Sequence, residues 1–183
     1  MRILVFQSSA RQKLAGIGAG FASSLLEATV IKGGAELWLD SPATELITAD
    51  DRVVGVVVRR GGRDVRLRAR RGVMLGGGGF DHNTAMRLEH HGIEGSPSGA
   101  PGNLGGPIAM AQDVGAAVEL MDDAWWGASL EGLPDGPAPS FLVGERSYPY
   151  SLIVDGTGER FANESESYVD LGHHMLEHAE STP

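Results

Sequence analysis

The chain has 183 residues and a net charge of −9, with 42% hydrophobic and 21% charged residues. That balance excludes intrinsic disorder and makes the chain as a whole a poor nucleic-acid binder. It has no cysteine, which excludes a disulfide scaffold, a thiolate zinc site, an iron–sulfur cluster and a cysteine nucleophile, and fits a cytoplasmic protein.

No apolar run approaches the about 20 residues that a membrane-spanning helix needs. The apolar core Ile3–Phe6 is too short for a secretory signal. Glycine is over-represented, at 27 residues, so many tight turns or close backbone approaches are expected. Charge is unevenly spread. Residues 1–71 hold 12 Lys+Arg and 7 Asp+Glu, a balance of +5, and the remainder holds 3 and 17, a balance of −14.

In chain order, Gly18–Lys32 reads as a helix: Phe21, Leu25, Leu26 and Thr29 recur at helical spacing, and Gly33-Gly34 ends it. Glu36–Leu39 and Thr44–Thr48 read as short strands, with Asp50-Asp51 as a turn. Arg52–Arg60 is β-branched, Gly61-Gly62 is a hairpin turn, and Asp64–Arg70 returns. Residues 36–70 are therefore expected to form a small antiparallel meander. The arginines of its last strand alternate with Val65, Leu67 and Ala69, the pattern of a solvated face or of a polyanion contact.

Val73–Leu75 reads as a short strand running into the glycine quartet Gly76–Gly79. Helices are expected over Asn83–His91, Pro107–Val114 and Ser165–Glu180, and a strand over Val118–Met121. A hairpin is expected between Ser151–Val154 and Arg160–Ala162, turning at Asp155-Gly156.

Several features could carry chemistry. Glycines after a strand let backbone amides approach a phosphate or nucleotide, or simply make a tight turn. Gly16, Gly18 and Gly20 imitate a dinucleotide fingerprint, but polar Ser8–Ala15 precedes them where a strand is required. His174, Glu177 and His178 match a zinc-hydrolase pattern, and a histidine-rich helix surface is the alternative. Trp125-Trp126 is either core or a ligand wall. Tyr168 in the last helix is packing unless something depresses its phenol.

Several segments are collinear with one family. They are Asp51-Arg52-Val53-Val54-Gly55-Val56, Arg68–Leu75 followed by Gly78-Gly79-Phe80, Asn103-Leu104-Gly105, Leu120-Met121-Asp122 with Ala124-Trp125-Trp126, and Val154–Glu164. Together they resemble the superfamily of FAD-dependent 3-ketosteroid dehydrogenases and fumarate reductase flavoproteins, over nearly the whole chain.

The resemblance implies an α/β fold with α+β character. Residues 1–122 would be part of the FAD-binding domain with its antiparallel meander, and 123–183 the start of a catalytic or cap domain. It implies FAD as cofactor, approached by Ala43, Gly77, Gly78, Gly79, Asn103 and Gly105, with Trp125 and Trp126 lining a steroid-like ketone. Fumarate reductases place a proton-donating Arg at the position of Tyr168, and ketosteroid dehydrogenases a catalytic Tyr. Tyr168 would take the proton next to the ketone while flavin accepts hydride from the neighbouring carbon, giving a desaturated ketone.

The family's N-terminal glycine fingerprint and its C-terminal segment have no counterpart here, and Gly106 stands where the family has Asp. The chain is thus expected to be an inactive internal segment that needs the missing halves of a flavoprotein or a second copy. The alternatives are a fumarate or enoate reductase and a non-enzymatic remnant that binds a partner protein.

Overall fold

A computed structural model describes residues 3–5, 17–94, 97–130 and 140–178. Gly16, the proline-rich stretch at 131–139 and the proposed helix end at 179–180 lie outside them. The chain divides into two compact units, residues 1–79 with 102–117, and residues 80–101 with 118–183.

In the first unit, helix α1 (Ile17–Leu26) passes into a π-helical stretch, Glu27–Lys32. Its predicted apolar face is open, with Phe21 68% and Ile31 77% exposed. Strand β1 (Ile3–Val5) pairs in parallel with β2 (Glu36–Trp38). The expectation that the 36–39 strand belongs to the meander is therefore corrected. Three residues are too few to reveal their partner by periodicity.

The meander is β3 (Ala43–Ala49), β4 (Arg52–Arg60) and β5 (Arg63–Arg68), antiparallel in that order. Both turns have two central residues at positive φ, Asp50 and Asp51 at 50° and 57°, and Gly61 and Gly62 at 55° and 76°. Such turns match the right-handed twist of the strands they join. Val58, fully buried, stands opposite Ala43 on one side and Val65 on the other. Leu46, opposite Val56, shares the face of Val58, and Val57 is buried on the other face.

The arginine face of β5 is exposed at Arg66 and Arg68. Arg59 on β4 pairs with Asp64 on β5. Since β5 is a sheet edge, its charges also discourage pairing with another chain.

Val73–Leu75 is not a strand: residues 72–80 run outside every sheet, and Met74 is 95% exposed. An apolar run looks like a strand in sequence, but a strand needs a neighbour to bond to. Helix α3 (Gly106–Gln112) starts with Pro107 in its first turn, as expected, and lies against β3.

In the second unit, helix α2 (Thr84–His91) is capped by Asn83, whose side chain accepts from the Met86 N–H at 3.2 Å. Gly92 ends it with φ 70°. Val118–Met121 is not a strand, and Leu120 there adopts φ 55°. Ser129–Leu130 (β6) pairs antiparallel with Ser140–Phe141 (β7).

The expected hairpin over 151–162 is a turn without a ladder, closed by Asp155 N–H to Glu159 C=O at 2.9 Å. The last helix, α4, spans Tyr168–Glu177, not Ser165–Glu180. Ser167 caps its start, its hydroxyl accepting from the Val169 N–H at 3.3 Å, so residues 165–166 stay outside. The core of this unit is Leu171, Ala128 and Phe80, with Arg87, Arg146, Asp155 and Glu164 also buried.

Candidate functional site

The glycine run and the 102–107 turn interlock within the first unit. A Cβ on Gly78 would stand 2.3 Å from Asn103 Oδ1, and Gly78 has φ 82°. A Cβ on Gly77 would stand 2.4 Å from the Pro107 ring. The Gly105 N–H, at φ 79°, donates to the Gly79 carbonyl at 3.0 Å. These glycines are required by backbone-on-loop packing, which only residues without a side chain permit.

Gly76 differs. A Cβ there would meet nothing within 4 Å. No N–H of Gly76–Gly79 donates a hydrogen bond among the described residues. The run therefore offers a braced, side-chain-free wall with amide donors to spare, which fits a nucleotide cofactor. Ala43 is half-buried at the start of β3.

The second unit gathers Tyr168, Trp125 and Trp126. Tyr168 is the first residue of α4 and half-buried, its ring edge-on to Phe141 at 5.6 Å. Among the described residues no hydrogen bond reaches its hydroxyl. Gly172, one turn on, lies against Trp126: a Cβ there would stand 2.3 Å from the Trp126 Cβ and 2.8 Å from the Gly127 N. Trp126 is thus a packing residue. Its ring also meets His91 edge-on at 4.8 Å. Trp125 is 87% exposed and free to face a ligand.

Three histidine–carboxylate pairs hold α4. His173 Nε2 lies 2.8 Å from Asp123 Oδ1, His174 Nδ1 2.8 Å from Glu166 Oε1, and His178 Nε2 2.8 Å from Asp155 Oδ2. The zinc pattern is thereby dispersed: His174 and His178 serve different carboxylates. Among the described residues no three His, Asp or Glu side chains are placed to hold a metal.

Asp123 Oδ1 also accepts from the Ala124 N–H at 2.7 Å and the Trp126 indole N–H at 3.0 Å. The His173 contact is the main reason its carboxyl is held below the usual range, followed by the Ala124 amide. Sequence reasoning singled out neither Asp123, His173 nor Gly172. The only signal was Asp122-Asp123 shortly before two adjacent tryptophans.

The Val154–Glu164 stretch folds around its own acids. Asp155 Oδ1 accepts from the Thr157 hydroxyl at 2.7 Å, the Thr157 N–H at 2.8 Å and the Glu159 N–H at 3.0 Å. Chiefly through the Thr157 hydroxyl, and next through His178, its carboxyl is held far below the usual carboxylate range. Glu164 accepts from Arg160 at 2.6 Å and from the Ile153 N–H at 2.9 Å, and is held at about 2 mainly by Arg160. The Arg146 guanidinium donates to the Glu164 carbonyl at 2.5 Å. These residues are staples of the loop preceding α4.

Residues 3–183 match the family model described as FAD binding domain, and the chain belongs to that family. Its cofactor is FAD.

The chain is 40% identical over 172 residues to a 3-oxosteroid 1-dehydrogenase of Mycolicibacterium smegmatis, covering 90% of this chain and 30% of that protein. It matches the crystal structure of 3-ketosteroid delta1-dehydrogenase from Sterolibacterium denitrificans at a TM-score of 0.74 and 39% identity, over 83% of this chain and 28% of that one. A flavocytochrome c3 fumarate reductase in its open conformation matches at a TM-score of 0.62 and 23% identity, over 92% of this chain and 29% of that one, a likeness of fold alone. The chain spans about 30% of the length of the curated relative it matches.

Proposed function

We propose that this chain is part of an FAD-dependent dehydrogenase that desaturates a 3-ketosteroid or similar cyclic ketone. The observation that carries the reading is the 40% identity, over 90% of the chain, to a 3-oxosteroid 1-dehydrogenase. The Sterolibacterium structure holds 1,4-androstadiene-3,17-dione, a ketone desaturated next to its carbonyl. Residues 1–122 belong to the cofactor domain and 123–183 begin the substrate domain.

Gly77, Gly78, Gly79, Asn103, Gly105 and Ala43 would hold FAD. When bound, FAD supplies the two-electron acceptor. Tyr168 is the base. It is the first residue of α4, half-buried beside Phe141. The α-proton next to the ketone is the acidic one, and it passes to the Tyr168 oxygen. Trp125 supplies apolar surface for the substrate. Tyrosine, where fumarate reductases carry arginine, favours desaturation over reduction of an enoate.

The cofactor is tested by adding FAD to the purified chain and reading the visible flavin spectrum after gel filtration. Co-eluting flavin shows that these residues suffice or that two copies complete one another. Loss of flavin shows that the site needs the rest of such an enzyme or a second copy held in place. With flavin retained, Tyr168→Phe lowers ketosteroid desaturation on the order of 10²-fold or more. Unchanged turnover in that variant sinks the base assignment.

A further inference from the structure

Among the described residues no hydrogen bond fixes the Tyr168 hydroxyl, so its place depends on how α4 is seated. Three observations within the second unit locate that seat. Gly172, one turn after Tyr168, lets α4 approach residues 126–127 to a separation no side chain would allow. His173, the next residue, reaches Asp123 at 2.8 Å. The same Asp123 oxygen accepts from the Ala124 N–H and the Trp126 indole. One carboxylate oxygen therefore joins the helix to both ends of the Ala124–Trp126 segment.

Phe141 completes the arrangement. Its ring lies edge-on to Tyr168, and a Cβ on Gly127 would stand 2.3 Å from it. Tyr168 is thus bounded by a segment that Asp123 and Gly172 clamp to its own helix.

We propose that Asp123 is a positioning residue for Tyr168: through His173 and Trp126 it sets where the phenol stands relative to the tryptophan pair. The inference rests on Tyr168 acting as the base. The oxygen of Asp123 is what joins these groups, and a neutral amide oxygen at the same place can still accept from two of them. Displacements of about 1 Å at a reacting group can cost on the order of a hundredfold in rate, so a surface carboxylate can matter more to turnover than to stability.

The test is two-dimensional NMR on the chain with labelled aromatic rings, following the Phe141–Tyr168 cross-peak and the Trp126 indole N–H in Asp123→Ala and Asp123→Asn. The cross-peak is expected to be lost in Asp123→Ala and kept in Asp123→Asn. Persistence of both signals in Asp123→Ala overturns the proposal, whatever Tyr168 does. Should Asp123→Ala fail to fold, His173→Leu removes one of the three bonds, and an unmoved cross-peak there overturns it equally. In flavin-loaded protein, Asp123→Ala should lower kcat on the order of tenfold to a hundredfold with KM little changed. A change confined to KM would count against positioning of the base. Turnover untouched by Tyr168→Phe removes the base reading, and the cross-peak then still decides whether Asp123 places that ring.

Discussion

His178 Nε2 and Asp155 Oδ2 stand 2.8 Å apart, tying the C-terminal end of α4 to the turn that opens the Val154–Glu164 stretch. The His178 ring also stacks on Phe161, with centroids 4.8 Å apart and planes within 2°. A stretch that carries the family resemblance in sequence is thus a brace in space, and its acids report on stability.

Both acids of that brace have depressed folded values, Glu164 at about 2 and Asp155 lower still in direction. Their unfolded values are about 4. A group depressed on folding contributes stability above its unfolded value and loses it as pH falls through the folded one. Stability of the second unit is expected to fall between about pH 4 and pH 2. Asp155→Asn and Glu164→Gln should each flatten that slope in urea titrations followed by circular dichroism across this range.

His91 adds an earlier step. Burial lowers it first, then the nearby Arg87 charge, with His90 a further like charge, while the backbone of Met121 and Asp123 draws the other way. Both ring nitrogens are buried without a hydrogen-bond partner of good geometry among the described residues. Phe80 at 5.0 Å and Trp126 at 4.8 Å enclose the ring. Its stabilising effect is complete above about pH 6.5 and lost as pH falls through the lowered folded value. Tryptophan fluorescence should therefore show destabilisation starting below that pH, and His91→Phe should abolish this first step while leaving the carboxylate step.

Gly172→Ala is expected to destabilise the second unit by about 1–3 kcal/mol, the range for overpacking a tight contact. The new methyl would stand 2.3 Å from the Trp126 Cβ and 2.7 Å from its carbonyl carbon. Backbone atoms cannot swing aside as a side-chain tip can. Chemical denaturation measures the loss, and a cost near zero would mean that α4 shifts freely.

Gly78→Ala meets two obstacles, a φ of 82° and the Asn103 amide oxygen 2.3 Å from the new carbon. Strain of this kind costs about 1–3 kcal/mol. The paired variant Gly78→Ala, Asn103→Ala relieves the collision and leaves the strain. Gly76→Ala, which meets nothing within 4 Å, should leave stability nearly unchanged. Equal stability losses at Gly76 and Gly78 would refute the distinction between an open glycine and one held against Asn103.

The sequence by itself determined the local elements whose signals are complete within a few residues. The meander turns at Asp50-Asp51 and Gly61-Gly62 and the Pro107 helix start depend on φ or a missing N–H at one position. Collinear motifs also revealed the family, because order and spacing survive where single motifs do not. Tertiary structure alone decided what paired with what. The 36–38 strand found β1 instead of the meander, Val73–Leu75 lies outside every sheet, and the three histidines of α4 each face a different carboxylate. Asp123 lies 50 residues from His173. Partners at that separation are chosen by how whole elements pack, and a local pattern of residues carries no record of that choice.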